Sequence, residues 1–108
     1  MEGNKYQKLA MVTLNKELTK KEMLSNGVMG LCGESGEVID VVKKHLYQGH
    51  ELDVNKIKDE LGDVMWYVAE ICSSLDISLN DVLEGNIIKL KKRFKDGFST
   101  YESINRKD

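Results

Sequence analysis

A chain of 108 residues with a formal charge of −2 is large enough for one hydrophobic core and too small for two. Its 41% apolar and 31% charged residues fit a folded soluble domain rather than a disordered segment. Lysines and acids are interspersed with no basic excess, which excludes a general binder of nucleic-acid backbones, and no run of about 18 apolar residues is present to span a membrane.

The N-terminal "MEGNKYQKLAM" lacks the architecture of a signal peptide, so the expectation is a cytoplasmic protein, with residues 1–108 forming a single domain. Proline is absent, and the apolar residues recur with helical period. The pattern predicts a first helix over about residues 4–18, with Tyr6, Leu9, Ala10, Thr13 and Leu14 on one face. A second, long helix runs from about 20 to 47 and carries Met23, Val28, Leu31, Val38, Val41, Val42 and Leu46. Gly49 in "QGHELD" is its stop. A third helix over about 54–75 carries Ile57, Leu61, Val64, Met65, Val68, Ile71, Cys72 and Leu75. Ser78, three residues before Asp81, caps a fourth helix that runs to about Lys95 and is ended by Gly97. From about residue 97, "GFSTYESINRKD" reads as a loosely structured tail or an arm onto a neighbour. The expected fold is all-α, a four-helix bundle-like domain with antiparallel central helices. Trp66, Phe94 and Phe98 are candidates to bury against another copy, so the chain is expected to be a homodimer or homotetramer.

Cys32 and Cys72 belong to no C-x-x-C pair and read as small apolar fillers in helices. His45 and His50 have no cysteine at ligand spacing, which disfavours zinc.

Acidic residues carry the strongest signal. Glu34 and Glu37 in "GESGE", and Glu60 and Asp63 in "ELGD", each lie three apart, one turn along one helix face. Antiparallel packing of the second and third helices can bring the pairs together. At a separation of about 5 Å and an effective dielectric near 20, two carboxylates repel by roughly 3 kcal/mol. Four such groups would strain a domain with only about 5–15 kcal/mol of stability. A bound cation relieves this, and all-oxygen ligation points to Mg²⁺, or Mn²⁺. Either acid pair alone could instead be a solvated helix face. Gly36 and Gly62 sit inside the motifs at a helix cost of about 1 kcal/mol each, which fits close approach of a backbone or ligand. No glutamate has a histidine three residues later, so a di-iron carboxylate site is excluded. "DVNKIKDELGDV" has Ile57 and Lys58 where an EF-hand needs its turn, so that is excluded too.

A metal held by carboxylates with open positions commonly serves substrate phosphates. Lys44 lies two turns beyond Glu37, and Tyr67 one turn beyond Asp63. Asn86 interrupts the apolar stripe of Leu79, Val82, Leu83, Leu90 and Phe94, with Lys89 and Arg93 one and two turns on. Asn86 could equally set helix register, and Lys89, Lys92 and Arg93 could be a solvated face.

With "GLCGESGEVIDVVKK", "DELGDVMWYVAEI" and the stretch from "NIIKLKKRF" to "DGFS", the chain resembles the MazG-like all-α nucleoside triphosphate pyrophosphohydrolases, which are related to dimeric all-α dUTPases. The likeness covers roughly residues 6–106. The family pattern is E-E-x-x-E followed after a gap by E-x-x-D. The resemblance implies Mg²⁺ ligation by Glu34, Glu37, Glu60 and Asp63, with Glu37 and Glu34 catalytic and Glu37 chosen as the ligand that also activates water. It implies triphosphate contacts from Lys44, Asn86, Lys89 and Arg93, with Tyr67 on the sugar or phosphates. The implied reaction converts a nucleoside triphosphate substrate to monophosphate and pyrophosphate, with no nucleic-acid polymer and no membrane as partner. Gly33 stands where the pattern has its first glutamate, a departure that bears on the number of metal ions and on water activation. Two rival readings are a non-catalytic helical interaction module and a family member that binds nucleotides without hydrolysing them.

Overall fold

Short polar caps set where each helix begins. In the computed structural model, which describes residues 1–106, helix α1 spans Gly3–Ala10 and is capped by Glu2, whose side chain accepts from the Lys5 N–H. A single 3₁₀ turn, Met11–Thr13, follows, and the chain becomes extended at Leu14. The first helix is therefore shorter than the expected 4–18. Side chains satisfy its last carbonyls: the Trp66 Nε1–H donates to Ala10 O at 3.0 Å and to Thr13 Oγ1 at 2.8 Å, and Lys16 Nζ donates to Met11 O at 2.6 Å. Trp66 is thus engaged within the chain.

Helix α2, Lys20–Tyr47, opens on a full capping box between Thr19 and Glu22. It ends before Gly49, whose φ of +74° supplies the left-handed turn. Helix α3, Val54–Ser74, is capped by Asp53; α4, Leu79–Arg93, is capped by Ser78 on the Asp81 N–H. Basic residues Lys91, Lys92 and Arg93 fill the last turn of α4, where the helix dipole favours them. The segment read as a loose tail holds a short helix, α5, Thr100–Ile104, capped by Ser99. Among the described residues there is no β-strand, and no helix there is long and apolar enough to cross a membrane.

Most of the packing is between α2 and α3. Asn26 pairs with Glu70, Gly27 faces Ile71, and Gly30 faces Tyr67. From Gly27 beside Ile71, through Gly30 beside Tyr67, to Glu34 beside Glu60, residue numbers rise on α2 as they fall on α3, so the two are antiparallel. The fully buried Glu70 carboxylate accepts from Asn26 Nδ2 at 2.9 and 3.1 Å. Helix α1 lies across α3, with Gln7 Nε2 donating to Ser73 Oγ at 3.0 Å. It also locks the start of α4 through reciprocal bonds, Asn4 N–H to Asn80 Oδ1 at 3.1 Å and Asn80 N–H to Asn4 Oδ1 at 3.0 Å.

Ala10, Met23, Ala69, Cys72 and Leu79 form the buried apolar core, where α1, α2, α3 and the start of α4 meet. Beyond it α4 projects outward with Val82, Leu83, Ile87, Ile88 and Leu90 exposed. The radius of gyration is 17.0 Å, against about 13 Å for a compact chain of this length. Several residues assigned to inward stripes by periodicity, among them Val28, Leu46, Leu61, Met65 and Leu75, are also exposed. Cys72 is buried as expected of an apolar filler, and burial pushes its thiol upward, whereas Cys32 is exposed. Phe98 is exposed and its ring centroid lies 5.5 Å from that of Phe94.

Among the described residues, no side chain and no neighbouring element comes within 4 Å of where a Cβ would lie at Gly36 or Gly62. The close approaches between helices occur instead at Gly27 and Gly30. A Cβ on Gly30 would overlap the Tyr67 ring, and one on Gly27 would lie 2.7 Å from Ile71 Cγ1.

Candidate metal centre

Three of the four acids expected at the site converge. One carboxylate oxygen from each of Glu34, Glu60 and Asp63 lies within 4.8 Å of the others. Glu34 comes from the middle of α2, and the other two from successive turns of α3. Glu60 is only 5% exposed, and its Oε1 accepts from Lys56 Nζ at 2.9 Å.

Electrostatics follows this crowding. The hydrogen bond with Glu60 pushes the Glu34 carboxyl up to about 7, with desolvation and the charges of Glu60, Asp63 and Glu37 adding to the effect. Glu60 is held below the ordinary glutamate range by the same hydrogen bond and by Lys56. The two carboxyls thus share one proton in their hydrogen bond, and the pair titrates as a unit.

The donor set is chemically suited to a hard divalent ion. Mg²⁺ or Mn²⁺ with oxygen ligands near 2.1 Å requires ligand oxygens no more than about 4.2 Å apart. Oxygens spread over as much as 4.8 Å need only small side-chain rotations to close on such an ion.

Beside the trio lies a cleft of about 370 Å³ lined by Glu34, Asp63, Trp66 and Tyr67. The two aromatic rings meet edge to face at 5.2 Å and 85°. The glycine at position 30 lets the Tyr67 ring lie against α2. Burial and then the Asp63 charge push the Tyr6 phenol upward, so α1 also borders this side of the molecule.

Glu37 is exposed, one turn beyond Glu34, and lines a second cleft of about 310 Å³ with Lys44, Asp40 and Lys56 among others. Lys44 pairs with Asp40 at 2.9 Å and holds that carboxyl low. Asn86 and Lys89 are exposed on the projecting part of α4, while Arg93 and Lys92 line a third cleft with Lys95, Tyr101, Glu102 and Asn105. Within one chain, then, Tyr67 shares the carboxylate cleft, Lys44 lies beside Glu37, and neither Lys89 nor Arg93 lines either cleft.

Sequence reasoning missed Lys56 and Gly30. Lys56 was findable, four residues before Glu60 and therefore on its face. Gly30 carried no signal, because its partner Tyr67 lies on another helix.

Residues 24–98 match the family model described as the MazG nucleotide pyrophosphohydrolase domain. The chain is also similar to the "Gene 37 protein" of Mycobacterium phage L5, at 40% identity over 89 residues, spanning 79% of this chain and 78% of that protein. No solved structure matches it significantly.

Proposed function

Because this chain belongs to the MazG nucleotide pyrophosphohydrolase family, we propose that it is a cytoplasmic, Mg²⁺-dependent enzyme that hydrolyses nucleoside or deoxynucleoside triphosphates to monophosphate and pyrophosphate. The observation that carries this reading is the convergence of Glu34, Glu60 and Asp63 beside an aromatic-walled cleft. These three side chains would hold the divalent ion, with Glu37 completing the set after rotation of its exposed side chain. Mn²⁺ would suit the same oxygens. A bound ion would neutralise triphosphate charge and act as a Lewis acid on the phosphoryl oxygens.

The remaining roles belong to the chain's own side chains. Glu37 is the proposed base that takes a proton from the attacking water, and Glu34, one turn before it on α2, orients that water. Tyr67 contacts the sugar or phosphates from the cleft wall. Lys44, Asn86, Lys89 and Arg93 are proposed to meet the triphosphate charge.

A homodimer or homotetramer is part of the proposal. It is supported by the uncovered apolar side chains of α4, together with exposed Leu61 and Met65 on α3. A bundle-like arrangement is then completed by a second copy.

A panel of nucleoside triphosphates assayed for pyrophosphate release, with Mg²⁺ and with chelator, tests the reaction. Release that requires Mg²⁺ is the expected result. Nucleotide binding without release would favour the non-hydrolysing reading, which Gly33 supports by removing one carboxylate from the family pattern. Neither binding nor release would favour an interaction module.

A further inference from the structure

Lys56 has no part in the reading above, yet its ammonium makes the closest ion pair to the carboxylate trio, 2.9 Å from Glu60 Oε1. Local helix energetics do not account for it. Lys56 is the third residue of α3, where a cation opposes the helix dipole and where a glutamate would close a capping box. Lysine preceding glutamate by four residues is also the less favourable order for a helical ion pair. Its partner is nearly buried and stands among other carboxylates, so the gain comes from the cluster.

A second feature gives this ammonium two places to be. Lys56 also borders the 310 Å³ cleft, whose lining includes Glu37, Asp40, Glu51 and Asp53, together with His50 and the Lys44 that pairs with Asp40. A long, flexible, half-exposed side chain can leave Glu60 and remain in an acidic setting.

We propose that Lys56 is a tethered counter-cation of the carboxylate cluster: its ammonium holds Glu60 while no divalent ion is bound, and competes with that ion for the same carboxylate. Lys56 is therefore a positioning residue. It keeps the cluster assembled without metal and sets the concentration of ion needed to displace it. The proposal rests on the divalent-ion reading of the trio.

Mn²⁺ titration by calorimetry at one pH, on the wild type, Lys56→Met and Lys56→Arg, tests it. Lys56→Met keeps the alkyl stem and removes the charge. It is expected to bind Mn²⁺ about two- to fivefold more tightly, the range set by the modest worth of a half-exposed pair. Lys56→Arg should stay near the wild-type affinity. In chelator, Lys56→Met should melt below the wild type, and the difference should vanish when Glu60→Gln is present in both. Equal or weaker Mn²⁺ affinity in Lys56→Met overturns the proposal and leaves the divalent-ion reading standing. If no variant binds Mn²⁺, that reading falls and the competition with it.

Discussion

Glu34 and Glu60 face each other across the antiparallel pair α2–α3, and one carboxyl hydrogen-bonds the other. This arrangement raises the Glu34 carboxyl to about 7. Chelated protein should therefore show a particular pH dependence. A carboxyl raised to about 7 in the folded state, from about 4.3 when unfolded, binds its proton more tightly when folded. That contribution is fully present below the unfolded value and is lost as pH rises through about 7. Glu60, held low, acts in the opposite sense only at more acidic pH. The melting temperature in chelator should fall between about pH 5 and 8. Glu34→Gln, which donates to Glu60 without titrating, should flatten that slope. An equal slope in the variant would show that the pH dependence has another source.

Glu60→Gln separates site from scaffold. The substitution is isosteric and removes one charge from a crowded, nearly buried position. Pyrophosphate release should drop by at least about a hundredfold, since even partners of metal ligands are worth 10- to 100-fold. Circular dichroism should be unchanged, and Lys56, half-exposed, stays solvated without its partner. Full activity in this variant would remove Glu60 from the catalytic assignment.

The glycines make a paired test. Alanine at Gly30 must displace the Tyr67 ring, an overpacking that costs about 1–3 kcal/mol. Alanine at Gly36 meets nothing and should stabilise the helix by about 1 kcal/mol. Urea denaturation of both variants gives the comparison. A stabilised Gly30→Ala would mean that the ring does not lie against α2.

These glycines also mark where the sequence stopped being legible. Caps and stops were readable because they are local: Ser78 before Asp81, and Gly49 after α2, depend only on neighbours. Three of the four acids were readable because helical spacing and antiparallel neighbours suffice to bring Glu34 to Glu60 and Asp63, whereas Glu37 lines the neighbouring cleft. The end of α1 was not, because it depends on a hydrogen bond from Trp66 on a distant helix. The inward face of α3 was misjudged in part for a related reason. Cys72 is buried and Ile57, Val64, Val68 and Ile71 are half-buried, as periodicity expects. The same face carries Glu60 and Glu70, while Leu61, Met65 and Leu75 are exposed, so ranking positions by apolarity finds only part of the stripe.

Glu70 offers a stability prediction independent of catalysis. Both of its oxygens accept from one Asn26 amide, and the side chain is fully buried. Asn26→Ala should cost about 1.5–3 kcal/mol, the range for a hydrogen bond to a charged group. Glu70→Gln should recover part of that loss in the Asn26→Ala background, because it neutralises the stranded carboxylate. If Asn26→Ala leaves the denaturation midpoint unchanged, water replaces the amide at no cost and the pair is not a determinant of the α2–α3 register.

The shape of the chain leads to the last expectation. Ile87 and Ile88 are 51% and 67% exposed on a helix that touches the rest of the molecule mainly through its first turn. Burying such a side chain fully is worth about 1.5–3 kcal/mol, so five exposed apolar side chains on α4 are a large favourable term left unused in a single copy. Sedimentation should give at least twice the 12.3 kDa chain mass. Ile88→Glu should shift the distribution toward monomer and lower the melting temperature, since each copy then loses the cover of its neighbour. Ser103→Glu, on the short terminal helix rather than on α4, should leave the mass unchanged. A wild-type monomer at micromolar concentration would mean that α4 is covered by something other than a second copy.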